Sequence, residues 1–223
     1  MARAGVYDKL LMIPLFTGMS MAELEAVVGE TRLLFRKVER GERVASDGDP
    51  CGRLVILVEG HLCMTTYSDD HGLAVEEELS GCHVLQPECA FGLRQRFTHT
   101  YQALTACSLI SIDKKEALRL TSASLIFRLN LMNLISTNLQ KANAKVWRRP
   151  PRTLQESIVR FLSDHCVFPT GRKVFRLKKD RIALELHENR RKVSKCLNSL
   201  QERGLLTLHR CRIEIPSLED LIL

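Results

Sequence analysis

The sequence predicts an α+β protein with an N-terminal β jelly roll or barrel, a long helix, and a C-terminal domain of short helices ending in a hairpin. Between residues 31 and 112, short β-like runs alternate with turn signals such as SDGDP and SDDHG, a texture typical of antiparallel jelly rolls. Residues 113–147 then become helical, and Pro150-Pro151 interrupts the chain. We therefore expect domains at 1–120 and 150–223, joined by a helix at 121–149 that belongs with the first.

The individual elements follow from local patterns. Residues 6–30 are predicted to be helical, with Ser20 and Glu23 forming a capping box. The predicted strands are RLLFRKV, RLVILVEG, HLCMTTYS, LAVEEELS, YQALTA and SLISID. After the double proline we expect helices at 152–166, 178–186 and 190–203, a strand RKVFRL, a hairpin from LLTLHR to CRIEIP, and a closing segment SLEDL.

The long helix carries an apolar seam with heptad-like steps of three and four residues. Its apolar members are Leu125, Leu129, Met132, Leu139 and Val146, and the seam is imperfect because Ser136 and Asn143 within it are polar. The predicted dimer contacts are Leu125, Leu129, Met132 and Leu139. A second apolar flank is formed by Leu131, Leu134 and Ile135, so one flank can face the barrel and the other a second copy. The seam predicts a homodimer through this helix; the alternative is an ordinary amphipathic helix lying on the barrel.

Charge is unevenly spread along the chain. Residues 141–215 hold 19 lysines and arginines against 7 acidic residues, whereas the remainder is net acidic within an overall charge of +7. A basic C-terminal third beside an acidic body favours a polyanionic partner such as nucleic acid. A solvated basic surface is the alternative.

Residues 178–203 predict two short helices joined by a tight turn. His187-Glu188 supplies the turn, and Asn189 is a good N-cap for the second helix. One face of that second helix is apolar, with spacing i, i+4, i+7 at Val193, Leu197 and Leu200.

A different face of the second helix is basic and polar. It carries Arg190, Arg191, Ser194, Lys195 and Asn198, more than a quarter-turn from the apolar face. Arginine and lysine donate to guanine, serine suits any base, and asparagine suits adenine. Lys192 lies at the flank, where a phosphate is the more usual partner. The three first-turn cations oppose the helix dipole, and such violations of local stability rules tend to mark function. The pattern predicts a helix-turn-helix that binds double-stranded DNA; the alternative is a solvated surface helix.

The stretch LKKDRIALELHENRRKVSKCLNSLQERGLLTLHRCRIEIPSLEDL resembles the winged helix of the bacterial cyclic-AMP receptor protein/fumarate–nitrate regulator (CRP/FNR) family. The resemblance rests on Ala183, the RRKVSK stretch, ERGLL and the RIEIPSLEDL ending. The first half is similar to the same family's cyclic-nucleotide-binding-like barrel through IPLFTGMSMAELEAV, RKVERGERVASDGDP and LVILVEGHL. The resemblance implies a dimeric cytoplasmic transcription regulator that is not an enzyme. It also implies a palindromic operator and RNA polymerase as a further partner.

The helix-turn-helix departs from the family pattern at two positions. His187 stands where glycine is usual, and histidine tolerates left-handed backbone geometry better than most residues. Arg191 stands where an acidic residue is usual. An acidic residue accepts from cytosine, whereas arginine donates to guanine, so we expect a different preferred base at this position.

The predicted effector pocket comprises Glu88, Phe97 and Thr98. Family members that bind cyclic nucleotides carry a cassette resembling Gly-Glu followed by an Arg-Ser or Arg-Thr pair. The corresponding stretch here reads PECAFGLRQRFTHTYQA, which puts Phe97 and Thr98 in the place of that pair. Phe97 has no charge to neutralise a cyclic phosphate, and Arg94 and Arg96 are out of register. We expect no binding of cyclic AMP, and the effector stays open.

Other classes of site find little support in the sequence. The eight cysteines show no CxxC spacing and none precedes Cys51, so we expect reduced thiols and neither a metal nor a cofactor. A heme stays open, because four histidines could ligate it: His61, His71, His83 and His99. We expect no signal peptide, because the first residues lack a clear apolar core and a small-residue cleavage site. The sequence contains no apolar run of about 20 residues and no phosphate loop, GxSxG or HExxH motif. A ligand-responsive module acting through a protein partner is the alternative function.

Overall fold

The computed structural model describes residue 7, residues 9–146 and residues 148–222, with Val146 described by its backbone alone. Val6 and Asp8 of the predicted N-terminal helical region, and Trp147 of the predicted dimer helix, lie outside these residues. The described chain divides into two compact units, residues 9–62 with 79–146, and residues 63–78 with 148–222. Both helices and sheets are present, which confirms the predicted α+β class.

The first unit is built around antiparallel strands. Its elements are α1 (Met21–Glu30), β1 (Leu33–Val38), β2 (Arg43–Ala45), β3 (Arg53–Glu59), β6 (His83–Leu85), β7 (Thr100–Ala103), β8 (Cys107–Asp113), α2 (Lys114–Ala123) and α3 (Leu125–Val146). One sheet has the order β1-β8-β3-β6, and β2 pairs with β7. Residues 54–58 of β3 are all buried, which is why this strand reads as a continuous apolar run. The capping box predicted at Ser20 and Glu23 is present.

The turn that follows β3 requires a glycine. Gly60 has a φ of +99°, and a Cβ atom there would lie 2.6 Å from both the Ala106 carbonyl oxygen and the Cys107 sulfur. A larger residue would therefore meet strain and a steric clash together. This close approach holds the start of β8 against the turn.

The helical region predicted at 113–147 is two helices rather than one. Ser124 adopts an extended conformation between them, and its N–H donates to the Leu120 carbonyl at the end of α2. Its hydroxyl accepts a 3.2 Å hydrogen bond from the Phe127 N–H at the start of α3. Serine competes with the helix for backbone partners, so one residue ends α2 and caps α3.

The second unit combines a strand hairpin from the middle of the sequence with the C-terminal third. Strands β4 (His61–Tyr67) and β5 (Ala74–Ser80) contribute residues 63–78, which the sequence prediction had included in the first domain. The remaining elements are α4 (Leu154–Asp164), β9 (Lys173–Arg176), α5 (Lys179–Glu185), α6 (Arg190–Glu202), β10 (Thr207–His209), β11 (Arg212–Ile215) and α7 (Leu218–Ile222). Their strands follow the order β10-β11-β9-β5.

Candidate nucleic-acid interface

Helix α6 begins at a sharp corner after α5. His187 has a φ of +51°, the left-handed conformation expected for it, and the Glu188 N–H donates to the Ala183 carbonyl across the turn. The Asn189 side chain then caps α6 by accepting a 2.8 Å hydrogen bond from the Arg191 N–H. This corner fixes where the first turn of α6 points.

One face of α6 is anchored in the core of the second unit. Val193, Leu197 and Leu200 are fully buried, as the apolar spacing predicts. They join a single cluster with residues of α4, α5 and β9, among them Phe161, Ile182 and Phe175. Because three successive turns are held in this way, the opposite face has a defined orientation.

The rest of the surface of α6 carries the predicted DNA-contacting side chains. Those that are exposed are Arg190, Arg191, Lys192, Lys195 and Asn198. Ser194 is half-buried, and its hydroxyl accepts a 3.3 Å hydrogen bond from Lys179 of α5. The structure thus brings all six predicted DNA-binding residues onto one helix.

The three cations of the first turn differ in their partners. The Arg190 guanidinium lies 2.8 Å from an Asp180 carboxylate oxygen, and the Lys192 ammonium lies 3.2 Å from a Glu188 oxygen. The Arg191 guanidinium has no ion-pair partner in the part of the chain that the structure describes. Its charge is therefore the least compensated of the three.

A basic groove lies between α6 and the β10–β11 hairpin. It has a volume of about 600 Å³. Its charged lining consists of Lys178, Lys179, Asp180, Arg190, Arg191, Arg210 and Arg212, so cations outnumber the single carboxylate six to one. The α6 residues of this lining are predicted from the sequence, whereas the hairpin arginines Arg210 and Arg212 are not. The available signal was the run HRCR at the hairpin turn.

Glu214 of β11 organises the cations at the base of this hairpin. Its carboxylate lies 3.0 Å from Arg172, 3.1 Å from Arg212 and 3.1 Å from His209. The hydrogen bond from Arg172, followed by attraction to the neighbouring cations, holds the pKa of Glu214 below its usual range. Arg210 extends beyond this cluster and is exposed.

The predicted effector-pocket residues each have partners within the first unit. Phe97 is buried with its ring edge-on to Tyr101, and Thr98 exchanges hydrogen bonds of 2.6 and 3.2 Å with the Gln86 side-chain amide. Exposed Glu88 accepts a 3.4 Å hydrogen bond from Asn138 of α3. Gln86 was missed from sequence, and its backbone is left-handed, with a φ of +40°.

Two arginines lie near this position in the sequence. Arg96 donates a 2.6 Å hydrogen bond to the Gly48 carbonyl, and Arg94 is exposed. Arg96 also forms an isolated antiparallel β-bridge with Pro50, so both contacts hold it against the turn at 46–50. Within the described residues no group of three or more His, Cys, Asp or Glu side chains could hold a metal ion.

Helix α3 has two apolar flanks. Leu131 is buried, and Leu134 and Ile135 are half-buried, within the first unit. The predicted seam is exposed on the single chain, with Leu125, Leu129, Met132 and Leu139 showing 58, 47, 58 and 60% of their surface. Among the described helices, none is long and apolar enough to cross a membrane.

Comparison with known proteins supports the architecture. Residues 35–124 match the family profile of the cyclic nucleotide-binding domain, and no curated protein matches the chain in sequence. Many solved structures are similar to this chain, among them that of the Thermus thermophilus catabolite activator protein, with a TM-score of 0.52 and 17% identity, covering 94% of this chain and 98% of that one. A Crp/Fnr-family regulator from Eubacterium rectale gives a TM-score of 0.53 and 21% identity, covering 95% of this chain and 98% of that one.

A third is the c-di-GMP-responsive global regulator CLP of Xanthomonas campestris, with a TM-score of 0.52 and 18% identity, covering 88% of this chain and 99% of that one. At these identities the likeness establishes the fold. The resemblance predicted from the sequence motifs is thereby confirmed at that level: the chain contains a cyclic nucleotide-binding domain and has the fold of the CRP/FNR-type regulators.

Proposed function

We propose that this protein is a dimeric transcription regulator that binds a specific double-stranded DNA site through a winged helix-turn-helix. In this proposal α5 and α6 are the helix-turn-helix, α6 is the recognition helix, and the β10–β11 hairpin is the wing. The observation that carries the proposal is the exposed cationic face of α6 continuing into the basic groove. A surface of this kind suits the phosphate backbone, which dominates the affinity of DNA-binding proteins.

Within that surface we assign different roles to different side chains. Arg191 and Lys195 are exposed on the groove-entering face and reach base edges, with Asn198 one turn further along. Arg190 and Lys192 are held by Asp180 and Glu188, which favours contacts that position the protein on phosphates. The carboxylates then compete with phosphate for these cations, and this competition lowers non-specific affinity.

The dimer is proposed from the exposed seam of α3. Four large apolar side chains on one flank face solvent while the opposite flank is packed within its own unit. A second copy supplies a matching seam, since a two-fold contact pairs the same patch on both chains. Two recognition helices then read two half-sites about one DNA turn apart, which requires a palindromic operator.

The barrel is proposed not to bind cyclic AMP in the manner of the family's nucleotide-binding members. Phe97 is buried, Thr98 is engaged by Gln86, and Arg96 is engaged by the Gly48 carbonyl. Without an arginine at the phosphate position, transfer of a phosphodiester into the barrel has no charge to offset its desolvation.

Fluorescence anisotropy with a labelled duplex tests the DNA-binding proposal. The full chain should bind, and its affinity should fall steeply between about 50 and about 200 mM salt, because each phosphate contact releases counterions. Lys195→Ala should weaken binding, whereas Arg36→Ala, which removes an exposed cation paired with Glu42 in the first unit, should not. Equal affinity of wild type and Lys195→Ala, or binding insensitive to salt, would contradict the proposal.

A further inference from the structure

The β4–β5 hairpin supplies part of the core of the second unit. Strand β5 pairs antiparallel with β9, with Ala74 opposite Arg176 and Glu77 opposite Lys173. Leu73 and Val75 of the hairpin are buried in the same cluster as Phe175. The unit that carries α6 is therefore built from two separate stretches of sequence.

A buried ion pair closes this junction. The Lys173 ammonium lies 2.8 Å from a Glu77 carboxylate oxygen, and their side chains are 1% and 0% exposed. The carboxylate also accepts hydrogen bonds from the Val167 and Phe168 N–H groups, at 2.8 and 3.0 Å. Lys173 in turn lies 5.8 Å from the centre of the Phe168 ring. Two opposite charges are thus stripped of water and satisfied by each other.

Two further ion pairs flank the buried one at the surface. Glu76 pairs with Arg176, and Asp70 at the hairpin turn pairs with Arg181 of α5. Hydrogen bonds from Ser68, the Gly72 N–H and Arg181 hold the pKa of Asp70 far below its usual range. Exposed pairs contribute little to stability, whereas loss of one partner from a buried pair leaves an uncompensated charge. We therefore expect the loss of Glu77 or Lys173 to destabilise the junction more than the loss of either surface pair.

Strand β9 connects this junction to the basic groove. Its other edge pairs with β11, with Val174 opposite Glu214 and Arg176 opposite Arg212. Glu214 holds Arg172, Arg212 and His209, as described above. A shift of β9 would consequently move the β10–β11 hairpin relative to α6.

We propose that Glu77 is a positioning residue for DNA binding: it neutralises Lys173 and fixes β9, and β9 in turn holds the β10–β11 hairpin beside α6. The role in DNA binding rests on the function proposed above. The structural role stands by itself, because residues 63–78 complete the sheet of the second unit whether or not DNA is the partner.

Three variants of the full chain test this. Lys173→Met keeps an unbranched side chain, one atom shorter, but leaves the Glu77 carboxylate unpaired. Glu77→Gln combined with Lys173→Met removes both charges and retains one oxygen that can accept from either the Val167 or the Phe168 N–H; these two groups donate to different carboxylate oxygens in the wild type. Glu76→Gln is the matched control, since it removes the neighbouring surface pair on the same strand.

Hydrogen exchange without DNA reports the junction directly. In Lys173→Met, exchange of the amides of 173–176 should accelerate by about a hundredfold or more. The double variant should regain part of this protection, because it removes the unpaired charge but also one of the two N–H acceptors. Glu76→Gln should stay within about threefold of wild type. Unchanged exchange in Lys173→Met, or a double variant no better protected than the single one, would overturn the proposal. If Lys173→Met does not accumulate as folded protein, recovery of folded double variant supports the pair and its failure overturns it.

The salt dependence of DNA affinity separates positioning from a general loss of folded protein. Arg210 and Arg212 line the basic groove, and we expect each to contact one phosphate. In Lys173→Met the slope of log affinity against log salt should become shallower by about two units, because these two contacts are lost while those of α6 remain. The double variant should restore the slope. An unchanged slope with a reduced active fraction would overturn the positioning role. Wild type that binds no duplex would refute the proposed function, and the exchange data would still decide the structural role.

Discussion

Aspartate at both Leu129 and Met132 is expected to dissociate the protein into monomers. These side chains lie at the middle of the exposed seam of α3, where 47% and 58% of their surface is accessible on the single chain. The opposite flank of α3 packs within the first unit through the buried Phe127 and Leu131. The two substitutions therefore change the solvent-facing surface and leave this packing intact.

The size of the effect follows from the exposed fractions. Complete burial of a leucine or methionine side chain contributes about 1.5–3 kcal/mol, so covering the exposed half of each contributes about 1 kcal/mol. Two copies of the four-residue seam thus supply about 8 kcal/mol, and the double substitution removes about half of it. A loss of about 4 kcal/mol raises the dimer dissociation constant by about three orders of magnitude. Desolvation of the four introduced carboxylates adds to the loss.

Sedimentation velocity over a range of concentrations measures this. Wild type should sediment as a dimer at micromolar concentration, and the double variant as a monomer with unchanged helical circular dichroism. Leu118→Asp is the matched control, because Leu118 is 49% exposed but lies on α2, outside the seam. A monomeric wild type, or a double variant that sediments like wild type, would refute the assignment of the seam.

Three more expectations concern the pocket, the recognition helix and pH. Cyclic AMP should produce no binding heat at micromolar concentration in titration calorimetry, because Phe97 is buried at the phosphate position; a saturable isotherm would contradict this. Arg191→Glu should change the preferred base at one position at a cost of about 1–3 kcal/mol on the wild-type site, whereas Lys192→Ala should weaken all sequences alike and lower the salt slope by about one unit. Burial, with a smaller contribution from Lys141, lowers the pKa of His83 from 6.5, so the first unit should lose stability as pH falls below that value. Thermal unfolding of His83→Gln should show a weaker loss, and an identical pH dependence would exclude this histidine as the cause.

Local patterns predict the elements whose stability is local. The capping box at Ser20 and the apolar face of α6 each involve residues within two turns of one another, and both occur as expected. The left-handed conformation of His187 was expected from the family resemblance, in which glycine is usual at this turn, and it is present. In each case the side chains that decide the structure are neighbours in sequence.

Features that depend on residues far apart in the sequence could not be predicted from local patterns. The run AVEEELS looks like a strand with a charged, solvent-facing edge, yet Glu77 is buried because Lys173, nearly a hundred residues away, neutralises it. The same partner explains why residues 63–78 belong to the second unit. Similarly, Gln86 engages Thr98 only because the barrel brings the two residues together.

Short elements were also missed for a physical reason. Strands β2 and β6 have three residues each, too few for an alternating pattern to appear, and they exist because longer neighbours offer an open edge. The break at Ser124 depends on a single hydroxyl bond to the Phe127 N–H, which competes with continuation of the helix.

Selection of bound sequences from a random duplex library by the full-length protein tests the central proposal most directly. The dimer and its two recognition helices predict an enriched palindrome with half-sites about 10 base pairs apart, centre to centre. Arg191→Glu should enrich a palindrome of the same spacing with a different base at one symmetric position. Recovery of no sequence above the input library, or of an asymmetric site that Arg191→Glu leaves unchanged, would contradict the proposal that α6 reads DNA in a two-fold dimer.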